Sequence, residues 1–378
     1  MRTINVVFRA DASLQIGTGH IMRCLALADA LNERGATCHF VCREHAGNSI
    51  SYLRNRGYEV HVLPATPEQS SEQQPKISLN ASSDTKLSNP PHARWLGTTQ
   101  QQDADECAPI LSELRPDWLI VDHYALDSRW EATLQPHYAK LMVIDDLADR
   151  PHLCDLLLDQ TFGRDPDDYK SRVPATCTLL CGAQYALLRP EFAELRTYSL
   201  KRRQSAPLDH LLITMGGIDK DNATGRVLEA LQQTSLPAHC KITIVMGAAA
   251  PWLDAIRLQA DQLPWATEVR VNVCDMARLM ADSDLAIGAA GSTSWERCCL
   301  GIPTVMVVLA DNQREVAAGL ERSGAAQVLQ GTQQITSHLP AMLDALVSSP
   351  LQRAAISHAA ALIADGSGLS KVIGFLEQ

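Results

Sequence analysis

No apolar run in this chain of 378 residues reaches the length of about 20 that a membrane-spanning helix requires. The amino terminus enters a strand-like segment without a signal-like apolar region. A cytoplasmic protein with no membrane partner is therefore expected. Basic charge is in deficit as well: 33 Lys and Arg stand against 43 Asp and Glu, for a net charge of −10. Non-specific nucleic-acid binding needs a basic surface, so no nucleic-acid partner is expected. A local basic pocket for one phosphorylated ligand stays open. The 11 cysteines include no pair of Cys-x-x-Cys knuckles, so reduced thiols are the default and no zinc site can be assembled from them. No internal repeat is evident.

What is present is alternation. Short apolar runs alternate with helical patterns, which indicates α/β units and parallel sheet. The first half offers strands at Ile4–Phe8, Thr37–Val41, Glu59–Leu63, Trp118–Asp122, Lys140–Asp145, Leu156–Asp159 and Thr178–Cys181. The second half offers His210–Met215, Lys241–Met246, Thr267–Val273, Leu285–Gly288, Thr304–Val308 and Ala326–Leu329. Two stretches break the rhythm. Residues 64–94 are rich in Ser, Gln, Asn and Pro and read as a mobile surface insertion. Tyr198–Pro207, with Lys201-Arg202-Arg203, reads as a linker with a solvated charge cluster. The expectation is an α/β protein of two Rossmann-type parallel-sheet domains, residues 1–200 and 208–378, facing across a cleft. The final helix is expected to pack back on the first domain.

The segment Arg9-Ala-Asp11-Ala-Ser-Leu-Gln-Ile-Gly17-Thr-Gly19-His20 carries the most chemistry. A strand precedes it, and Ile21, Leu25, Ala28 and Leu31 follow at helical spacing. Gly17 and Gly19 allow a sharp turn and close ligand approach. His20 then falls at a helix start, where unpaired N–H groups and a partial positive charge favour a neutral imidazole and a nearby anion. The third glycine of the dinucleotide fingerprint is missing, and no Gly-Lys-Ser/Thr follows as in a Walker loop. Cys24 lies on the apolar side of this helix and reads as core.

The second half holds two strand–loop–helix junctions of similar kind. Ile213-Thr-Met-Gly216-Gly217 ends a strand in a glycine pair that can turn N–H groups to a phosphate, with Asn222 or Thr224 as helix cap. Gly288-Ala-Ala-Gly291-Ser292-Thr293-Ser294-Trp-Glu296 places hydroxyls and N–H donors at a helix start. Glu296 could accept from the two hydroxyls of a ribose, or serve as a capping glutamate at the third helical position. Asn312 and Gln313 follow the next strand's C-terminal end, the side of such sheets where ligands collect.

These strings, together with Ile120-Val-Asp122-His123-Tyr124, the segment Cys181-Gly-Ala-Gln-Tyr-Ala-Leu-Leu-Arg189-Pro-Glu191-Phe192 and Ala310-Asp-Asn312-Gln313, resemble the UDP-sugar hydrolases of pseudaminic acid biosynthesis. The resemblance covers most of the chain outside residues 64–94. Its C-terminal block is similar to two-domain (GT-B) glycosyltransferases such as the UDP-GlcNAc-using enzyme of lipid II assembly. The resemblance implies a GT-B fold and hydrolysis of UDP-2,4-diacetamido-2,4,6-trideoxy-β-L-altropyranose at C1 with inversion, needing no metal and no cofactor. It implies His20 as the base acting on water. Asp11 would orient its imidazole or the water, and Arg9, Gly17, Gly19, Tyr124 and Arg189 would contact substrate. Gly216, Gly217, Ser292, Thr293, Ser294, Glu296, Asn312 and Gln313 would hold the nucleotide, with the uracil near Val273 or Met276. The partner is then a small UDP-sugar, and a monomer is expected. A UDP-sugar glycosyltransferase and a non-catalytic UDP-sugar-binding regulator remain alternatives, because fold alone does not separate them.

Overall fold

The computed structural model describes residues 4–65, 89–204 and 207–377. Thirteen strands form among them. These are β1 (Asn5–Ala10), β2 (Thr37–Arg43), β3 (Glu59–Leu63), β4 (Trp118–Asp122), β5 (Lys140–Ile144), β6 (Leu156–Asp159), β7 (Thr178–Cys181), β8 (His210–Thr214), β9 (Lys241–Met246), β10 (Thr267–Val271), β11 (Leu285–Ala289), β12 (Thr304–Val307) and β13 (Gln327–Leu329). The helices are α1 (Gly19–Glu33), α2 (Ile50–Asn55), α3 (Gln100–Leu114), α4 (Ser128–Leu134), α5 (Pro190–Arg202), α6 (Ala223–Leu231), α7 (Leu253–Ala260), α8 (Met276–Asp282), α9 (Thr293–Cys299), α10 (Arg314–Arg322), α11 (Ile335–Ser348), α12 (Pro350–Ala361) and α13 (Gly368–Leu376). None of them is long and apolar enough to cross a membrane.

The first sheet runs β3-β2-β1-β4-β5-β6-β7 and the second β10-β9-β8-β11-β12-β13. The paired strands of the second sheet are all parallel, as are β3 through β5 of the first. Strand order reverses between β1 and β4, and again between β8 and β11. Such a switch point opens a crevice outside the C-terminal strand ends. The loops after β1, β4, β8 and β11, which flank the two switch points, all carry sequence motifs.

Burial on both faces explains the near-continuous apolar strands. All five residues of β4 are buried. In the second sheet Leu211, Ile213, Leu285, Ile287, Val305 and Val307 join one core cluster, while Leu212, Ala286 and Met306 join the other. That alternation is the two-residue side-chain period of a strand. In the first sheet Phe8 stacks on Phe40 across β1 and β2 at 5.0 Å.

The described residues fall into two compact units. One lies within Met1–Ile16, Gly35–Leu157 and Asp168–Thr178, and the other within Gly17–Arg34, Leu158–Asp167 and Leu179–Gln378. Helix α1 therefore belongs with the second unit, where α13 packs on it and Arg34 pairs with Glu377.

One expectation needs revision. Tyr198 to Arg202 form the last turns of α5 rather than a linker. Arg203 is buried and donates to Ser199 O, Met280 O, Ala281 O and Ser283 O, and Arg202 pairs with Asp284. These two cations therefore tie α5 to the segment around α8 and are not a solvated cluster. Most of the expected insertion at 64–94 lies outside the described residues. Its end forms a 3-10 turn at Ala93–Leu96, where Trp95 stacks on Tyr124.

Candidate functional site

Three backbone segments of the second unit converge. The first is the start of α1. Its N-cap residue Thr18 makes no side-chain cap bond, so the N–H groups of the first turn are left to other acceptors. The second is the turn at Gly216-Gly217 after β8, and the third is the Gly291–Ser292 loop after β11. A Cβ on Gly19 would lie 3.2 Å from Ser292 Oγ, and a Cβ on Gly217 would lie 3.6 Å from Thr18 Oγ1. At Gly247 a Cβ would be driven into Gly217 O, to which the Gly247 N–H donates at 3.1 Å. Close approach, not only turn geometry, is what these glycines supply. Gly17 and Gly216 also hold positive φ, at 77° and 87°.

His20 is the second residue of α1 and is nearly buried. Arg23 Nη2 lies 3.4 Å from its Nδ1. A guanidinium can only donate, so Nδ1 accepts and a neutral ring carries its hydrogen on Nε2.

Gly19, Arg23, Gln160, Arg189, Ser292 and Glu296 line one recess of this unit. Arg189 also donates to Cys274 O at 3.2 Å, which ties the recess to the Val273–Met276 segment. Glu296 is the fourth residue of α9, one position beyond the third helical position that a capping glutamate takes. Burial pushes its carboxyl up to about 7, against the opposing pull of Arg189 and Arg297. Arg297 is fixed beneath it: the guanidinium donates to Ala289 O at 2.6 Å, Thr293 Oγ1 at 3.1 Å and Ser294 Oγ at 3.2 Å. The buried Ser294 hydroxyl is thus engaged in holding the loop, and the half-buried Ser292 is the hydroxyl nearest α1.

The glycine-pair junction decides between the two expected caps of its helix. Asp219 accepts from Ala223 N and Thr224 N, and Asn222 accepts from Gly225 N. Those donors of α6 are taken, and Asn222 rather than Thr224 is the cap. The side-chain carbonyl of Gln313 accepts from the Leu309 N–H at 2.9 Å and its amide nitrogen lies near Gly291, while Asn312 is half-buried in the same 3-10 turn.

In the first unit, the ends of β1, β2 and β4 hold a buried charge network. Arg9 binds Asp11 at 2.7 Å and Asp103 at 2.7 Å, and Arg43 binds Asp103 at 2.7 Å and Glu106 at 2.6 Å. Trp130 Nε1 also donates to Asp103. Burial alone would raise the Asp11 carboxyl, but Arg9 and the neighbouring imidazoles hold it well below the usual range. Those imidazoles are His123 and His45, with Nε2 at 3.3 Å and 3.5 Å from Asp11 Oδ2. The oxygens of Asp11 serve Arg9, the Arg43 N–H, His45 and His123. Arg9, at 1% exposure, is likewise committed to two carboxylates rather than open to a ligand. His123 Nδ1 accepts from Ala125 N, which leaves the ring hydrogen on Nε2 facing Asp11. Tyr124 is buried, donates to Asp146 at 2.7 Å and stacks on Trp95.

Sequence reading missed Arg43, His45, Asp103, Glu106, Gln160 and Gly247. Only the Arg9–Asp11 pair carried a local signal, two residues apart along the end of a strand. The others meet their partners over separations of 27 to 94 residues.

Residues 212–370 match the model of the glycosyltransferase family 28 C-terminal domain. Over 322 residues the chain is 26% identical to the UDP-2,4-diacetamido-2,4,6-trideoxy-beta-L-altropyranose hydrolase of Campylobacter jejuni, covering 85% of this chain and 97% of that protein. It is 23% identical to the spore coat polysaccharide biosynthesis protein SpsG of Bacillus subtilis, covering 97% of this chain and 96% of that one. An uncharacterized protein of Methanocaldococcus jannaschii is 24% identical over 82% of this chain, which spans 57% of its length. Among solved structures, Acinetobacter baumannii MurG superimposes with a TM-score of 0.68 at 16% identity, over 99% of each chain. With its two parallel α/β sheets, the chain has the GT-B glycosyltransferase fold.

Proposed function

We propose that the protein hydrolyses a UDP-linked 2,4-diacetamido-2,4,6-trideoxy sugar of the β-L-altro series, with water attacking C1 and UDP leaving. Two new molecules result, the free sugar and UDP, and the anomeric centre inverts. The observation that carries this reading is the packing of the first turn of α1 on Ser292 and Gly217, within one compact unit. It ties His20 to the switch point of the second sheet, where a nucleotide would collect. The 26% identity to a hydrolase of that substrate over 97% of its length supports the same chemistry.

Glu296 binds the ribose hydroxyls when ionised, and Arg189 balances its charge. The N–H groups at Gly216-Gly217 and at the start of α1 meet the negative charge that develops on the leaving diphosphate. Arg23 turns from His20 to the diphosphate as the nucleotide binds. That frees Nδ1 to take a proton from the attacking water, a step worth roughly 10²–10⁴ in rate. Asn312 and Gln313 complete the diphosphate and sugar contacts.

Incubation with the UDP-diacetamido sugar and no acceptor tests the reading. UDP and free sugar should appear in equal amounts, with the chelator EDTA making no difference. A glycosyltransferase is the competing reading, favoured by the family 28 match over residues 212–370. It predicts no UDP release until an acceptor is added.

A further inference from the structure

In the first unit, β3 is the edge strand and pairs with β2 in parallel, with His39 opposite Glu59 and Val41 opposite His61. Residues two apart on a strand share a face, so Glu59 and His61 lie in one row of β3 beside His39 on β2. The side chains close the arrangement. His39 Nδ1 is 3.4 Å from Glu59 Oε2, His61 Nε2 is 3.9 Å from Glu59 Oε1, and the two imidazole rings are 5.7 Å apart. One ligand atom from each residue lies within 4.8 Å of the other two. Both facing nitrogens are buried atoms without a hydrogen bond among the described residues. Leaving two such atoms unsatisfied is costly, and no hydrogen bond among the described residues relieves them.

We propose that His39, Glu59 and His61 form a binding site for a divalent transition-metal ion of the zinc type, through His39 Nδ1, His61 Nε2 and a Glu59 oxygen. The donor set selects the ion. Two imidazoles and one carboxylate suit Zn²⁺ and its late first-row neighbours, whereas Ca²⁺ and Mg²⁺ require mostly oxygen ligands. Bond lengths of about 2.0–2.2 Å in a tetrahedron place ligand atoms about 3.4 Å apart. The Glu59–imidazole distances are already near this. Glu59 is 66% exposed and can rotate to close the rest, with water in the fourth position. The ion would fasten the edge strand β3 to β2 and raise stability by mass action. It takes no part in the sugar chemistry above.

The full-length protein, stripped with a chelator that is then removed, should bind one equivalent of Zn²⁺ at neutral pH. Co²⁺ at the same site should give visible d–d absorption of a tetrahedral ion without an intense near-ultraviolet thiolate band. His39→Gln, His61→Gln and Glu59→Gln should each weaken binding about tenfold or more, at least the loss seen when an outer-shell partner is removed. Each should also abolish the rise in Tm that Zn²⁺ gives the wild type. Glu59 and His61 are more exposed than His39, so their variants carry the test if His39→Gln folds poorly. Wild-type affinity in His61→Gln and Glu59→Gln would overturn the proposal. So would a thiolate band, which would move the ion to cysteine, or no binding at micromolar Zn²⁺.

Discussion

Replacing Glu296 with Gln should separate the cost of a buried acid from its use. Glu296 titrates near 7 in the folded chain against an ordinary 4.5, chiefly through burial. At about 1.4 kcal/mol per tenfold step, keeping it ionised costs the folded state up to about 3 kcal/mol. Its carboxylate retains some solvent access, so that figure is an upper bound. The folded value is the higher one. The stability of the protonated form is therefore fully present below about pH 4.5 and is lost as pH rises through 7. Gln cannot ionise and should escape that loss. Thermal denaturation of both proteins from pH 4.5 to 8 should show equal Tm at the acid end. Toward pH 7 the variant should gain, by about 2–4 °C for each kcal/mol, and then level off. UDP affinity should move the other way. Wild type should bind more tightly from pH 6 to 8 as Glu296 ionises, whereas Glu296→Gln should bind weakly throughout. A Tm difference that does not change with pH would refute the reasoning, as would UDP binding by Glu296→Gln that equals wild type at pH 8.

Three further outcomes are expected. His20→Asn should lose about 10²-fold or more in turnover while UDP affinity, measured by calorimetry, stays within a few-fold of wild type. Asp103→Asn removes the carboxylate shared by Arg9, Arg43 and Trp130 and should cost about 3 kcal/mol in denaturant unfolding, because two buried guanidinium groups each lose one of their two carboxylate partners. Gly247→Ala pushes against Gly217 O and should weaken UDP binding measurably while leaving the first sheet's unfolding signal in place.

The thirteen strands were legible because parallel strands buried on both faces spell themselves as apolar runs; their observed ends moved by only one or two residues. The motif loops were legible for a related reason. A glycine pair or a Ser-Thr-Ser run after an apolar stretch marks the junction of a strand and a helix. The stretch at Tyr198–Arg203 was misread because its polarity resembles a linker. Its Arg side chains in fact cap carbonyls more than 70 residues away, a partner set no local pattern reveals. The same limit hid Asp103 and Arg43, whose charges make sense only once strands far apart in sequence lie side by side. Asp11 shows it most clearly. Its neighbours His45 and His123 lie 34 and 112 residues along the chain, and no local pattern places them beside it. The protonation state of Glu296 was equally invisible, since spacing says where a carboxylate sits and not how dry its surroundings are.

Hydrolysis of the UDP-diacetamido sugar in ¹⁸O-water, read by mass spectrometry of both products, tests the central claim most directly. Attack of water at C1 predicts the heavy oxygen on the sugar and none on UDP. Label in the β-phosphate of UDP would mean that the P–O bond breaks instead and would contradict the account.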